Sequence, residues 1–169
     1  MSHSLNGSST WITSKKSRDD VQSLRANYDA IVTGGNTVRD DNPRMNARVS
    51  YDVNQPRRIV ITREKNWDMK MNFFRDNNFE IVNSCQLDKF IKSFQDRDTC
   101  SLLIEAGPKL VNSFLDAGLC DQFVIYKSNR DLGQNSVPWF ENKNALIKKG
   151  FKLKARSYIE SDMKEVCTI

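Results

Sequence analysis

The sequence predicts an α/β fold: a mostly parallel central sheet flanked by helices, with an antiparallel hairpin at the C-terminus. Short apolar runs alternate with amphipathic segments along most of the chain, as strands and helices do in a parallel α/β protein. The C-terminal residues instead alternate polar and apolar positions, which is typical of antiparallel strands. The length of 169 residues favours one domain over residues 1–169, large enough to bury a core without disulfides or metal.

The first predicted element is a helix from Lys15 to Asn27. Thr13 or Ser14 stands just before it and can cap its first amides. The apolar positions of this segment are spaced three and four residues apart, which places them on one helical face. The residues of that face are Val21, Leu24 and Tyr28.

Five short apolar runs predict buried strands. They are rich in Ile, Val and Phe, and most are bounded by polar or turn-forming residues. In chain order the runs are AIVTGG (30–35), RIVIT (58–62), FEIVN (79–83), SLLIE (101–105) and QFVIY (122–126).

Two further helices and the hairpin complete the prediction. Residues 86–95 carry an apolar stripe at helical spacing, and residues 108–118 begin with proline and end with glycine, as helices prefer. Residues 151–158 and 163–169 alternate well enough to form the terminal hairpin.

The net charge of +5 raises the question of nucleic-acid binding. Lys and Arg are scattered along the chain, however, and no run of five or six basic residues occurs. A protein that handles a small phosphorylated substrate would carry the same charge, so we expect no nucleic-acid partner.

The cysteine and histidine content argues against a metal site. The four cysteines form no C-x-x-C pair, and His3 is the only histidine. Isolated cysteines fit buried thiols in a reducing cytosol. The chain has no apolar segment of membrane-spanning length and no signal-peptide pattern at its start, so we expect a cytoplasmic protein without a membrane anchor. The cysteines are Cys85, Cys100, Cys120 and Cys167.

Ligands of parallel sheets bind beyond the carboxyl ends of the strands, and two strand ends carry suitable chemistry. The first is TGGNT (33–37), whose glycines would let backbone amides approach a phosphate. A tight turn with an Asn or Thr cap explains the same residues. No G-x-G-x-x-G is present, so this is not the Rossmann fingerprint.

The second strand end places Glu105 after an apolar run. Gly107 removes a side chain where a ligand would lie, and Pro108 starts a helix whose first amides, at Lys109 and Leu110, would face an anion. The alternative is an exposed acid at the start of a loop.

Two other segments are ambiguous from residue type alone. The span 37–48 holds two acids and three arginines, which form either a solvated loop or a clamp for a sugar and a phosphate. Trp11, just ahead of the first helix, either staples the chain to the core or covers a flat ring.

Taken together, the sequence motifs of this chain resemble those of the reductase domain of the bacterial riboflavin-biosynthesis bifunctional deaminase–reductase. Each motif is weak alone, but they occur in order and at family-like spacing. The motifs are S-x-W-I-T (9–13), D-V-Q-x-L-R-A (20–26), D-A-I-V-T-G-x-x-T-V-x-x-D-x-P (29–43), R-I-V-I (58–61), and E-A-G-P-x-L with L-x-A-G-L (105–119).

The resemblance implies a dihydrofolate-reductase-like fold and NADPH as the hydride donor. It implies that the substrate is 5-amino-6-(5-phosphoribosylamino)uracil, a phosphorylated pyrimidine whose ribose part is reduced to ribityl. A ribosylamine can open to an imine whose carbon accepts hydride, so no metal is needed. Glu105 would be the catalytic residue, either holding the ribose hydroxyls or relaying a proton.

The resemblance also implies two sets of binding residues. Arg25 and Arg48 would suit the substrate's phosphate. The substrate set is Ser9, Arg25, Met45, Arg48 and Glu105. The cofactor set is Trp11, Thr37, Asp41, Gly107, Pro108, Lys109, Leu110, Val111, Asn112 and Ser113.

The chain departs from the family at two places. Members of the family usually begin with a strand that contains a lysine, followed by S-L-D-G. In this chain Ser4-Leu5-Asn6-Gly7 resembles a remnant of S-L-D-G, so we expect that first strand to be shortened or missing. Arg63 stands where a small polar residue is usual, and it would either meet the 2′-phosphate of NADPH or face water.

The rival interpretation is a catalytically weak or inactive reductase-like subunit that scaffolds a separate deaminase. The resemblance further implies a homodimer, with a separate deaminase as a second partner.

Overall fold

The computed structural model describes residues 2–5, 8–83, 86–94, 99–130 and 145–169, with the backbone alone for 2–5 and 8–10. These residues form two compact units. One is Val21–Leu119, and the other combines Met1–Asp20 with Cys120–Ile169. The prediction of a single domain over 1–169 stays a prediction.

The described residues form nine strands and five α-helices. The strands are β1 (Ser2–Leu5), β2 (Ser8–Trp11), β3 (Ala30–Gly34), β4 (Arg57–Thr62), β5 (Phe79–Asn83), β6 (Leu102–Ile104), β7 (Gln122–Lys127), β8 (Lys152–Ile159) and β9 (Asp162–Thr168). The helices are α1 (Lys15–Ala26), α2 (Gly35–Asp41), α3 (Leu87–Lys92), α4 (Pro108–Asp116) and α5 (Ala145–Lys148).

The unit Val21–Leu119 contains a four-stranded, all-parallel sheet in the order β5-β4-β3-β6. Four of the predicted runs form these strands, and no strand end differs from the prediction by more than one residue. Successive residues of β3 face opposite sides of the sheet, so the strand contributes side chains to two apolar clusters. One cluster contains Ala30, Val32, Ile59, Phe90, Phe94 and Phe114. The other contains Ile31, Val38, Met45, Val60, Phe73 and Phe74.

These clusters explain why the strands are apolar throughout. Helices α3 and α4 supply phenylalanines to the first cluster, while α2 and a 3₁₀ turn at Asn72–Phe74 supply the second. With both faces covered, a polar residue would lose water on either side. The parallel α/β class predicted from the sequence is confirmed.

The other unit is antiparallel. Strands β1 and β2 pair with each other, and a three-stranded sheet has the order β7-β9-β8. The predicted terminal hairpin is thus confirmed as β8 and β9. The run at 122–126, predicted as a strand, is confirmed as β7 and pairs antiparallel with β9 through Val124 opposite Val166. Its polar ends suit a strand that is only partly buried.

A buried carboxylate fastens the first helix within this unit. Asp162 Oδ2 accepts hydrogen bonds from the Ser14 amide at 2.7 Å and from the Ser17 hydroxyl at 2.6 Å. Ser14, one of the two predicted caps, also accepts a bond from the Ser17 amide at 3.1 Å. Burial opposes the charge of Asp162, but hydrogen bonds from Ser17 and Ser14 outweigh it and lower the pKa of Asp162.

The predicted helices are present but differ at their ends. Helix α1 stops at Ala26, one residue early, and α3 covers Leu87–Lys92 rather than 86–95, whose last residue lies outside the described part of the chain. Helix α4 starts with the predicted proline. Gly118 beyond it has a left-handed φ of 68°, which explains the glycine that ends the pattern.

The cysteines differ from the expectation of buried thiols. Cys167 is buried and Cys120 is partly buried, but Cys100 is exposed because it lies in the loop before β6. Cys85 lies outside the described residues. Within the described residues, no helix has the length and apolarity to cross a membrane, and no cluster of three metal-binding side chains occurs.

Candidate functional site

The candidate site lies at the carboxyl ends of β3 and β6. From β3 the chain proceeds to β4 and β5 on one side, and then returns to place β6 on the other side of β3. Such a reversal opens a crevice beyond the two strand ends, which is where parallel α/β sheets bind ligands. The Glu105 amide still bonds to the Val32 carbonyl at 2.9 Å, so Glu105 is the first residue past the ladder of β6.

Glu105 forms a two-pronged ion pair with Arg25 from the last turn of α1. Arg25 Nε donates to Glu105 Oε2 at 2.8 Å, and Arg25 Nη2 donates to Oε1 at 2.5 Å. The arginine side chain is only 9% exposed, whereas the glutamate side chain is 33% exposed. The pair therefore presents its carboxylate, rather than its guanidinium, to the surroundings.

The segment from Pro43 to Arg48 is held rigidly beside this pair. Met45 is 2% exposed and packs in the second apolar cluster, with a left-handed φ of 48° that is uncommon for a side chain of its size. The side chain of Gln55 donates a hydrogen bond to the Ala47 carbonyl at 2.9 Å and accepts one from the Ala47 amide at 3.0 Å. The span 37–48 was left open as a solvated loop or a clamp for a ligand. It begins on α2, and its last part is a loop whose backbone these contacts hold in place, so a role as a clamp stays a prediction.

Two contacts from α1 position the end of that segment. Gln22 Oε1 accepts a hydrogen bond from the Arg48 amide at 3.2 Å, and Arg25 Nη1 donates to the Asn46 carbonyl at 3.2 Å. Gln22 and Gln55 were not foreseen as site residues. The spacing of Gln22 and Arg25, three apart on one helix face, was the available signal for the first of them.

The arginines of this region act on one another. Arg48 Nη1 donates to Asn46 Oδ1 at 3.1 Å. Burial lowers the pKa of Arg48, the neighbouring charges of Arg25 and Arg44 lower it further, and Glu105 opposes them. Of these three guanidinium groups, it is Arg25 that pairs with Glu105, so positive charge exceeds negative charge in this region.

Helix α4 begins three residues after Glu105, at the same edge of the sheet. Gly107 precedes Pro108, and a Cβ atom added at Gly107 would have no heavy atom within 4 Å, so the backbone there borders open space. The first amides of a helix have no partner within the helix, which suits an anion. Lys109 and Ser113 are exposed, and Asn112 is partly buried, but Val111 packs inward and can offer only its backbone.

The double glycine at the end of β3 serves packing. Helix α2 begins at Gly35 directly, and a Cβ atom there would lie 2.5 Å from Thr62 Oγ1. The glycine is thus required by the closeness of α2 and β4. Thr37 and Asp41 lie on α2, where partial burial first, and then the charge of Asp40, raise the pKa of Asp41.

Ser9 and Trp11 belong to the other unit and are described with it. Both lie on β2, and the side chain of Ser9 is outside the description. The Trp11 ring is 52% exposed, with the Arg18 guanidinium 4.4 Å from its centroid. The ring is therefore not buried as a core staple would be.

Comparisons with known proteins agree with this architecture. Residues 2–164 match the family model described as the RibD C-terminal domain. The 5-amino-6-(5-phosphoribosylamino)uracil reductase of Buchnera aphidicola (Acyrthosiphon pisum) is 27% identical, with 97% of this chain and 93% of that protein covered. Aquifex aeolicus riboflavin biosynthesis protein RibD is 28% identical over 77% of this chain and 43% of that protein.

Among solved structures, Acinetobacter baumannii RibD superposes with a TM-score of 0.82 at 25% identity, over 95% of this chain and 52% of that one. The chain spans about half the length of the RibD relatives it matches.

Proposed function

The chain belongs to the RibD C-terminal domain family, and on that premise we propose that it reduces 5-amino-6-(5-phosphoribosylamino)uracil with NADPH in riboflavin biosynthesis. The single observation that carries the proposal is the Arg25–Glu105 pair at the switch point of the sheet, opposite the start of α4. The region is electropositive and carries a carboxylate, which suits a phosphosugar. The unpaired amides at the start of α4 suit the phosphates of a dinucleotide.

The residues present fit a bound dinucleotide. Gly107 leaves open space where a side chain would stand, and the first turn of α4 offers backbone amides to a diphosphate. Lys109, Leu110, Asn112 and Ser113 would hold that part of the cofactor, with Thr37 and Asp41 from α2. The nicotinamide of bound NADPH supplies the hydride.

Arg63 supports NADPH rather than NADH. It is exposed immediately after β4, at the same edge of the sheet as Gly34, and none of the described residues forms an ion pair with it. A free guanidinium is the usual partner of a ribose 2′-phosphate. Arg39, by contrast, is already 3.5 Å from Glu64.

The protein's part in catalysis is to hold and orient the substrate. Arg25 occupies one hydrogen-bonding site on each oxygen of Glu105, and a carboxylate has about four such sites. The remaining sites can accept hydrogen bonds from ribose hydroxyls, which would fix the reacting carbon of the opened sugar. Of the two roles left open for Glu105, we propose the holding role.

We propose that a deaminase supplies the substrate, that the chain forms a homodimer, and that it works in the cytoplasm. The test of the activity is direct: purified chain, substrate and NADPH are mixed, and loss of nicotinamide absorbance is followed with the Glu105→Gln variant as control. Absence of turnover by the wild type would favour the scaffold interpretation.

A further inference from the structure

The peptide group that joins Asn46 to Ala47 is held at both ends by side chains. Its carbonyl oxygen, at Asn46, accepts a hydrogen bond from Arg25 Nη1 at 3.2 Å. Its amide, at Ala47, donates a hydrogen bond to Gln55 Oε1 at 3.0 Å. A peptide group is planar, so its amide and its carbonyl cannot turn independently. The direction of the carbonyl that Arg25 contacts is therefore fixed in part by Gln55.

The next peptide group, between Ala47 and Arg48, is held in the same way. Its carbonyl accepts a hydrogen bond from Gln55 Nε2 at 2.9 Å, and its amide donates one to Gln22 Oε1 at 3.2 Å. Gln22 and Arg25 both belong to α1. The amide side chain of Gln55 thus binds both polar backbone groups of Ala47, and each peptide plane is fixed between Gln55 and α1.

We propose that Gln55 is a positioning residue for the reduction, and that it orients the Arg25–Glu105 pair through the backbone of Ala47. This inference rests on the proposed function, in which Glu105 holds the ribose hydroxyls of the substrate. Two nitrogens of Arg25 donate to Glu105, and the third donates to the carbonyl whose peptide plane Gln55 fixes. Gln55 therefore controls the contact that sets the rotation of the guanidinium against the carboxylate.

Gln55 starts from a firmly held part of the chain. It precedes Pro56, whose side chain is fully buried, and Pro56 leads directly into β4. Asn78 Nδ2 donates hydrogen bonds to the Gln55 carbonyl at 3.1 Å and to the Pro56 carbonyl at 3.2 Å. A proline also restricts the backbone of the residue before it. The side chain of Gln55 is thus fixed at its base by the sheet and at its tip by Ala47.

The loop has a second anchor that does not depend on Gln55. Met45 is 2% exposed and packs in the second apolar cluster. Loss of the Gln55 side chain leaves this anchor in place, so we expect the fold to persist while the two peptide planes loosen. Arg25 then loses its fixed third contact, and the carboxylate of Glu105 loses its orientation. A displacement of about 1 Å at a reacting group is enough to cost about 100-fold in rate.

Hydrogen exchange measured by NMR tests this positioning without any substrate. The reporter is the Arg25 Nε proton, which is bonded to Glu105 Oε2, and its signal is identified by its loss in Arg25→Gln. For Gln55→Ala we expect this proton, and the amides of Ala47 and Arg48, to exchange about 3- to 10-fold faster than in the wild type.

Two further variants complete the set. Gln55→Glu keeps the length of the side chain and can still accept from the Ala47 amide, but at neutral pH it has no donor for the Ala47 carbonyl. We expect faster exchange of the Arg48 amide in this variant, with a smaller effect on the Arg25 proton than in Gln55→Ala. Asn54→Ala is the matched control, because it removes the neighbouring exposed amide side chain, and it should exchange as the wild type does.

Steady-state rates connect the orientation of the pair to the reaction. For Gln55→Ala we expect kcat/KM for the substrate to fall about 10- to 100-fold while KM for NADPH stays the same. The reason for this difference is that the side chain of Gln55 bonds to Ala47, and not to α2 or α4. An equal loss in both values would indicate a general loss of structure and would overturn the inference.

The outcomes separate this inference from the proposed function. Wild-type exchange of the Arg25 proton in folded Gln55→Ala, even with a faster Ala47 amide, overturns the inference and leaves the reductase activity in place. A wild type that never oxidises NADPH with the substrate refutes the proposed function, and the Arg25 proton still decides whether Gln55 orients the pair. If Gln55→Ala does not fold, Gln55→Glu takes its place, and unchanged exchange of its Arg48 amide overturns the inference.

Discussion

Arg25 Nη2 lies 2.5 Å from Glu105 Oε1, and Arg25 Nε lies 2.8 Å from Oε2, so one buried guanidinium holds both oxygens of the carboxylate at the end of β6. The pair joins the last turn of α1 to the strand edge where the sheet reverses direction. A side chain held by two hydrogen bonds is pre-organised for binding and needs little reordering when a ligand arrives.

Removing one member of the pair should cost both stability and activity. Glu105→Gln leaves Arg25 buried without its anion, and we expect a loss of about 1–3 kcal/mol in the free energy of unfolding. Activity should fall by about 100-fold or more if Glu105 holds the hydroxyls in the transition state.

The double variant Arg25→Gln with Glu105→Gln separates these effects. We expect it to recover part of the stability, because no charge is left unpaired, but none of the activity. Urea unfolding and steady-state rates on the same samples provide the measurement. A double variant that regains turnover would show that the pair serves structure alone.

Substitution by alanine should lower the stability of the protein at Gly35 but leave it nearly unchanged at Gly107. Gly35→Ala places a Cβ atom 2.5 Å from Thr62 Oγ1 and should destabilise the protein by about 1–3 kcal/mol. Gly107→Ala meets no atom within 4 Å at a φ of −68°, so its stability should change by less than about 0.5 kcal/mol.

For NADPH binding we expect the opposite order, with the larger loss in Gly107→Ala. Gly107→Ala fills space beside the start of α4, and we expect weaker NADPH binding by a folded protein. Melting temperatures with and without NADPH test both variants. Wild-type NADPH affinity in Gly107→Ala would move the cofactor away from that turn.

Glu165 should make the protein sensitive to acid. It is buried on β9, where hydrogen bonding from Lys127 foremost, and from Arg156 as well, lowers its pKa below 4.5 despite burial. A folded-state pKa below the unfolded value contributes stability above the unfolded pKa, and this is lost as the pH falls through the folded one. Glu165→Gln should therefore cost about 1–3 kcal/mol near pH 7 and much less near pH 3.

Asp19→Asn is the matched control for Glu165. Asp19 pairs with Lys15 at 2.7 Å, but both side chains are exposed, so its removal should cost less than about 0.5 kcal/mol. Urea unfolding at the two pH values checks both variants. An equal cost for Glu165→Gln at both pH values would show that its charge contributes nothing.

Arg63 should set the preference for NADPH. Arg63→Ser removes the free guanidinium after β4, and we expect KM for NADPH to rise about 10- to 100-fold while KM for NADH stays the same. Steady-state rates with each nicotinamide provide the measurement, with Arg75→Gln as the charge-matched control. A parallel rise in both KM values would indicate a structural effect of the substitution.

The parallel sheet could be predicted because each of its strands is recognisable from the composition of its own residues. Runs such as RIVIT are apolar throughout, and only a strand covered on both faces needs that composition. The run QFVIY looks the same over five residues, yet its partner, Val166, lies far along the chain. Local composition contains no record of that pairing, so the sequence predicted the strand but not its partner.

The strand end and the helix start of the candidate site could be predicted from the sequence, but the contacts between its side chains could not. An acid followed by Gly107 and Pro108 marks a strand end and a helix start, and both are present. The pairing of Arg25 with Glu105 joins residues 80 positions apart, and only the folded chain reveals it. The side chain of Met45 packs in the second apolar cluster, which its sequence context did not indicate, and its place beside the substrate stays a prediction.

Transfer of a labelled hydride tests the central claim most directly. The purified chain is incubated with the substrate and NADPH carrying deuterium at the transferable position, and the product is analysed by mass spectrometry. We predict that deuterium appears on the ribityl chain and that Glu105→Gln suppresses this about 100-fold or more. Product without deuterium, or none at all from folded wild-type protein that binds NADPH, would contradict the assignment as a reductase.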